Sequence, residues 1–127
     1  MEPNKALTFC NRWLQAWTGN RPEELIRFYS FNAFYSDPAN PKGLTGHERI
    51  LPYFKKLLAV NPAWKWRCRE LFPTEKGFIV KWQATIPVGE TELIEFGLDI
   101  VEIAHDRISR NEVYFDRTKL LSALKKK

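Results

Sequence analysis

Two aspartates in this sequence stand where a carboxyl could do chemistry. Asp37 stands directly before Pro38. A carboxylate at the mouth of an apolar cavity gains basicity through desolvation, so Asp37 is a candidate general base. Aspartate also opens Asx turns, and Asp37 before Pro38 reads equally as a turn residue. Asp99 sits among Leu98, Ile100 and Val101. An acid there must be protonated or paired. It either faces an internal cavity or meets an arginine of a partner chain. Strand alternation puts Glu95, Gly97 and Val101 on the face of Asp99. Two inward acids are costly, so a β-bulge is expected between Glu95 and Asp99. Asn111 interrupts the inward set Val113 and Phe115, and a buried amide needs partners. It either meets a ligand or holds Asp99. Tyr35 shares the parity of Asp37 and is either a hydroxyl donor or a core ring. His47 falls in the first turn of a helix and His105 in a turn, far apart and without a carboxylate pattern, so no metal site is expected. Cys10 and Cys68 lie on apolar faces and read as core thiols.

The elements that must carry these groups follow from periodicity. Ala6, Cys10, Trp13, Leu14 and Trp17 recur at helical spacing, ended by Thr18-Gly19-Asn20. Pro22, Glu23 and Glu24 open a second helix that carries Leu25, Ile26, Phe28 and Tyr29. A short strand runs from Ala33 to Asp37, and Asp37 to Gly43 reads as a loop. Thr45-Gly46-His47-Glu48 has the form of a capping box before a third helix with Ile50, Leu51, Phe54, Leu57 and Leu58 on one face. Pro52 predicts a bend there, or a start near Leu51. The period then becomes two. Trp64, Trp66 and Cys68 alternate with Lys65, Arg67 and Arg69, and Phe78, Val80, Trp82 and Ala84 alternate with Ile79, Lys81 and Gln83. Glu92 to Ile103 is a longer strand, Ile108 to Phe115 the last, and Leu120, Leu121 and Leu124 a closing helical turn. Helices followed by an antiparallel meander define an α+β fold.

Composition narrows the functions open to such a fold. At 127 residues the chain is sized for one domain, residues 1–127. No stretch is long and apolar enough for a membrane span, and the N-terminus lacks a secretory pattern, so a cytoplasmic location is expected. Two cysteines suit a reducing compartment. Three of the five net positive charges are Lys125, Lys126 and Lys127. The basic row Lys65, Arg67, Arg69 lies opposite the tryptophans, which gives no base-stacking platform, so nucleic acid is not an expected partner. The unusual figure is 14% aromatic residues. A curved sheet over the helices would enclose Trp13, Trp17, Trp64, Trp66 and Trp82, with Tyr35, Val80, Asn111, Val113 and Phe115 completing the lining of a hydrophobic pocket. The expected ligand is an apolar small molecule. Ile94, Phe96, Leu98 and Ile100 form an apolar stripe on the opposite face, which predicts a homodimer through the sheet.

The order of elements, with Asn11-Arg12-Trp13, Tyr35-Ser36-Asp37-Pro38, Leu44-Thr45-Gly46-His47-Glu48, Gly97-Leu98-Asp99 and Tyr114-Phe115-Asp116, resembles the nuclear transport factor two-like superfamily. That group includes the steroid delta-isomerases and the SnoaL-like polyketide cyclases. The resemblance implies a cone-shaped curved antiparallel sheet wrapped on three N-terminal helices, a cystatin-like α+β barrel. It implies isomerase or cyclase chemistry without a cofactor, on an apolar carbonyl compound. Asp37 takes the place of the general base and Asp99 that of the protonated hydrogen-bond donor. Trp13 stands where the isomerases carry a tyrosine, and its indole donates a hydrogen bond but exchanges no proton. The competing reading is a non-catalytic ligand-binding or dimerisation module of the same fold. Epoxide hydrolysis by an Asp-Arg-Asp set requires an inward arginine, and none is evident.

Overall fold

The computed structural model describes residues 1–125; Lys126 and Lys127 of the basic tail lie outside the described residues. Helix α1 spans Pro3–Gln15, its first turn capped by the Glu2 carboxyl, which accepts from the Asn4 and Lys5 amides. Its buried stripe is Ala6, Cys10, Trp13 and Leu14, as the spacing predicts. Gly19 follows with a φ of +91°, the left-handed conformation that glycine adopts freely. Helix α2 is short, Pro22–Ile26.

Tyr29 does not belong to α2. It opens strand β1, Tyr29–Asp37, because its ring is wholly buried under the sheet instead of lying on a helix face. The expected loop after Asp37 is mostly a strand as well. β2, Asn40–Thr45, returns antiparallel beside β1, pairing Asp37 with Asn40 and Phe34 with Thr45. Thr45 is therefore held in the ladder, and the capping box does not form. Helix α3, His47–Val60, starts from Gly46, which has a φ of +86° and makes no side-chain cap bond. The helix is continuous through Pro52.

The remaining strands are β3, Lys65–Pro73; β4, Gly77–Val88; β5, Thr91–Ala104; and β6, Arg107–Tyr114. The tight β5–β6 turn is made without glycine, by His105 and Asp106, which both have positive φ (53° and 64°). Helix α4, Thr118–Lys125, closes the described chain.

The sheet order is β2-β1-β6-β5-β4-β3. It differs from a simple antiparallel barrel in two ways. β1 runs parallel to β6, and β2 and β3 remain as edges, so the curved sheet is not closed. Helix α1 packs on β3 and β4, and α3 on α2, β1 and β2. Between helices and sheet lies an aromatic core of edge-on and tilted ring contacts. Trp17 meets Phe54 at 5.1 Å and 65°, and Tyr35 meets Phe54 at 5.2 Å and 87°.

Candidate functional site

The alternation along β5 is strict. Glu95, Asp99 and Val101 are buried, while Ile94, Phe96 and Leu98 are exposed. The expected bulge between Glu95 and Asp99 is absent, since the β4–β5 register runs unbroken from Val88 paired with Thr91 to Gly77 paired with Glu102. Both acids therefore point inward. Two arrangements make this tolerable: Asp99 is hydrogen-bonded by its neighbours, and both acids border a cavity.

That cavity has a volume of about 300 Å³, the lower end of the range for small-molecule sites. Trp17, Tyr35, Trp64, Trp66, Trp82, Val113 and Phe115 line it as expected, together with Asp37 and Asp99. The expectation is corrected for Trp13, Val80 and Asn111. All three are fully buried behind the wall and do not line the space. Helix α1 presses Trp13 against Phe78, and Val80 sits one register step further down the sheet, beside Asp99.

Asp99 is 3% exposed and lines the cavity. Its Oδ1 accepts from Trp82 Nε1 at 2.7 Å, and its Oδ2 from Asn111 Nδ2 at 2.9 Å. The amide of Asn111 is oriented from the other side, where its Oδ1 accepts from the Tyr29 hydroxyl at 2.7 Å. Tyr29 in turn accepts from Trp13 Nε1 at 3.1 Å. Asn111 thus holds Asp99. Trp13 supports it at two removes, through a tyrosine that belongs to β1. Burial raises the Asp99 pKa to about 7, against the opposing effect of the two donors. Trp82 reaches Asp99 because Gly97 lies between them: a Cβ on Gly97 would come within 2.2 Å of the indole.

Asp37 has two places in the structure. It lines the cavity and it organises a turn. Oδ1 accepts from the Ala39 amide at 3.0 Å, the Asn40 amide at 2.8 Å and Asn40 Nδ2 at 3.1 Å. Oδ2 accepts from the hydroxyls of Tyr35 at 2.7 Å and Tyr53 at 2.6 Å. Those donors occupy the lone-pair sites that a carboxylate offers. Burial, followed by the adjacent Asp37 charge, pushes the Tyr35 hydroxyl well above the ordinary tyrosine range.

Tyr53, Arg117 and Glu95 are among the lining residues not anticipated as site residues. Tyr53 comes from α3 beside Phe54. Arg117, from the segment after β6, is the inward arginine that the sequence did not disclose. Glu95 was placed inward by parity and then assigned to a bulge. Its Oε1 is the one buried side-chain polar atom among the described residues that has no hydrogen-bond partner. Leu120, Leu121 and Leu124 of α4 complete the wall.

Elsewhere the histidines and cysteines behave as structural groups. His47 Nε2 lies 2.9 Å from the Tyr29 carbonyl oxygen, and its ring lies 5.6 Å from Phe31. Cys10 is buried, Cys68 is half-buried, and both are free thiols. Among the described residues no cluster of histidine, cysteine and acidic groups is set to hold a metal, and no helix is long and apolar enough to cross a membrane.

The curved, unclosed sheet over helices is the ketosteroid isomerase-like fold. Residues 10–111 match the SnoaL-like domain family, and the chain belongs to that family. No curated protein matches it. Among solved structures, a putative SnoaL-like polyketide cyclase from Shewanella putrefaciens CN-32 aligns with a TM-score of 0.81 at 11% identity, over 97% of this chain and 87% of that one. A protein of ketosteroid isomerase-like fold from Catenulispora acidiphila DSM 44928, in complex with trimethylamine, aligns with a TM-score of 0.76 at 17% identity, over 89% and 88%. TerC co-crystallised with polyporic acid aligns at 0.77 and 12% identity, over 98% and 99%.

Proposed function

We propose that this protein takes up an apolar small molecule in the cavity and acts on it as a cofactor-independent isomerase or cyclase, with Asp37 as the general base and Asp99 as the donor to the developing oxyanion. The observation that carries this reading is the Asp99 carboxyl: it faces the cavity, each of its oxygens accepts one bond, and its pKa is raised by burial to about 7. A group poised near neutrality is suited both to give and to take a proton. Protonated, it donates to a ligand carbonyl oxygen and steadies the charge that develops there. Asp37 is the base that removes a carbon-bound proton, and it does so only when the Tyr53 hydroxyl has released Oδ2. The ligands named for two relatives of the same fold, trimethylamine and polyporic acid, support a small organic occupant.

The second reading is a non-catalytic binding module. It is favoured by the five donors already on Asp37. Exchange of the α-protons of tetralone in heavy water, followed by proton NMR, separates the two. The enzyme reading expects exchange faster than in buffer. Asp99→Asn should slow it on the order of a hundredfold, the usual contribution of a positioned acid–base group. Tetralone that binds without accelerated exchange leaves the binding module.

A further inference from the structure

Of the three acids bordering the cavity, two are provided for by the protein. Asp37 has five donors and Asp99 has two. Glu95 is only 8% exposed, and its Oε1 has no hydrogen-bond partner among the described residues. A buried acceptor left in this state costs stability, and most such groups in folded proteins are satisfied. Arg117, the cation on the lining, is not among the ion pairs of the described residues, which are Arg27–Glu24, Lys55–Glu23, Lys81–Glu70, Arg110–Glu102 and Arg110–Glu112.

The surroundings of Glu95 are set by register. Trp66, Ala84 and Glu95 form one row across β3, β4 and β5, all lining the cavity. Ala84, with only a methyl group, leaves the space between the Trp66 ring and the Glu95 carboxyl unfilled. On the next row the Trp82 indole lies over Gly97, two residues from Glu95, with the Phe115 ring 5.5 Å from it. The carboxyl therefore shares its cavity wall with two indoles, Trp66 in its own row and Trp82 on the next.

We infer that Glu95 is the polar anchor of the cavity and that the ligand it selects is an apolar or aromatic molecule bearing a protonated amine. A hydroxyl would satisfy Oε1 and gain little from the rings. An ammonium group satisfies Oε1 through a charge-assisted bond and is also attracted to the indole faces. The inference rests on the cavity-binding part of the proposed function and adds the chemical class of the ligand.

Calorimetric titration with naphthylmethylamine, naphthylmethanol and naphthoate tests it, because the three share one ring system and differ in the group offered to Glu95. The amine should bind at least about tenfold tighter than the alcohol, and naphthoate weakest, given the combined strength of a charged hydrogen bond and a desolvated cation–π contact. Glu95→Gln should reduce the amine's advantage over the alcohol to about threefold or less, and a far-ultraviolet circular dichroism spectrum matching that of the wild type reports that the variant is folded. Trp66→Leu provides a second variant, expected to weaken the amine more than the alcohol. Equal affinity of wild-type protein for amine and alcohol, or an amine preference that survives Glu95→Gln, overturns the anchor and leaves the cavity reading standing. Failure of all three compounds to bind overturns both.

Discussion

The proton on Asp99 should be visible in the stability of the protein. In the unfolded chain the carboxyl has its ordinary value of 3.8, and in the fold burial raises it to about 7. Between those values the folded state holds a proton that the unfolded state has lost. Stability therefore falls as pH rises through this window, is highest below it and is level above it. The separation corresponds to roughly 4 kcal/mol at about 1.4 kcal/mol per pH unit, an upper bound that relaxation will reduce. That is a large share of the roughly 5–15 kcal/mol of a typical domain. Urea unfolding of wild type and Asp99→Asn from about pH 4 to about pH 8 isolates the contribution, because every other titrating group cancels in the difference. The variant is expected to be less stable than wild type at the acid end, since an amide cannot accept from both Trp82 and Asn111. The gap should then narrow or reverse toward neutral pH. Parallel pH curves for the two proteins, or a carboxyl carbon resonance of Asp99 with its midpoint near the ordinary value, would refute the argument.

Three further outcomes are expected. Gly97→Ala should displace the Trp82 indole and break its bond to Asp99, costing about 1–3 kcal/mol by thermal or urea unfolding and changing the tryptophan emission. Tyr53→Phe removes one of the two hydroxyls on Asp37 Oδ2, and should cost about 1–2 kcal/mol in stability while speeding any α-proton exchange that Asp37 performs. Phe96 (48% exposed) and Leu98 (44%) lie on the outer face of β5, and light scattering should give twice the 15.0 kDa chain mass, reduced to the single-chain mass by Phe96→Glu with Leu98→Glu.

Local pattern carried most of the fold. The buried stripe of α1 and the inward residues of β4 and β5 follow from spacing alone, because each element has one face that must leave water. What spacing does not contain is which strands become neighbours. The parallel β1–β6 pair joins Tyr35 to Asn111, and no periodicity within either segment announces it. Tyr29 was misplaced for that reason: its partner Asn111 lies 82 residues away. β2 was hidden by Pro41 and Gly43, which read as loop and are tolerated on an edge strand. At the site, parity did place Asp99 and Glu95 inward. Glu95 was lost because the cost of a second buried acid argued for a bulge. Arg117 lies outside any regular element, so no pattern could orient it.

The same β1–β6 pairing bears on how the protein reaches its fold. Along one side β1 has β2 as an immediate hairpin neighbour, but its other side pairs only with residues 108–112. During synthesis that side stays open while α3, β3, β4 and β5 emerge. Asn111 arrives with β6, so the bonds that orient Asp99 and Tyr29 form last, when the cone is completed around them. Long-range pairing of this kind slows folding to milliseconds or seconds, and it leaves an unpaired strand edge exposed to other nascent chains in the interval. A ribosome-bound chain ending before β6 should therefore hold a chaperone that the completed chain releases.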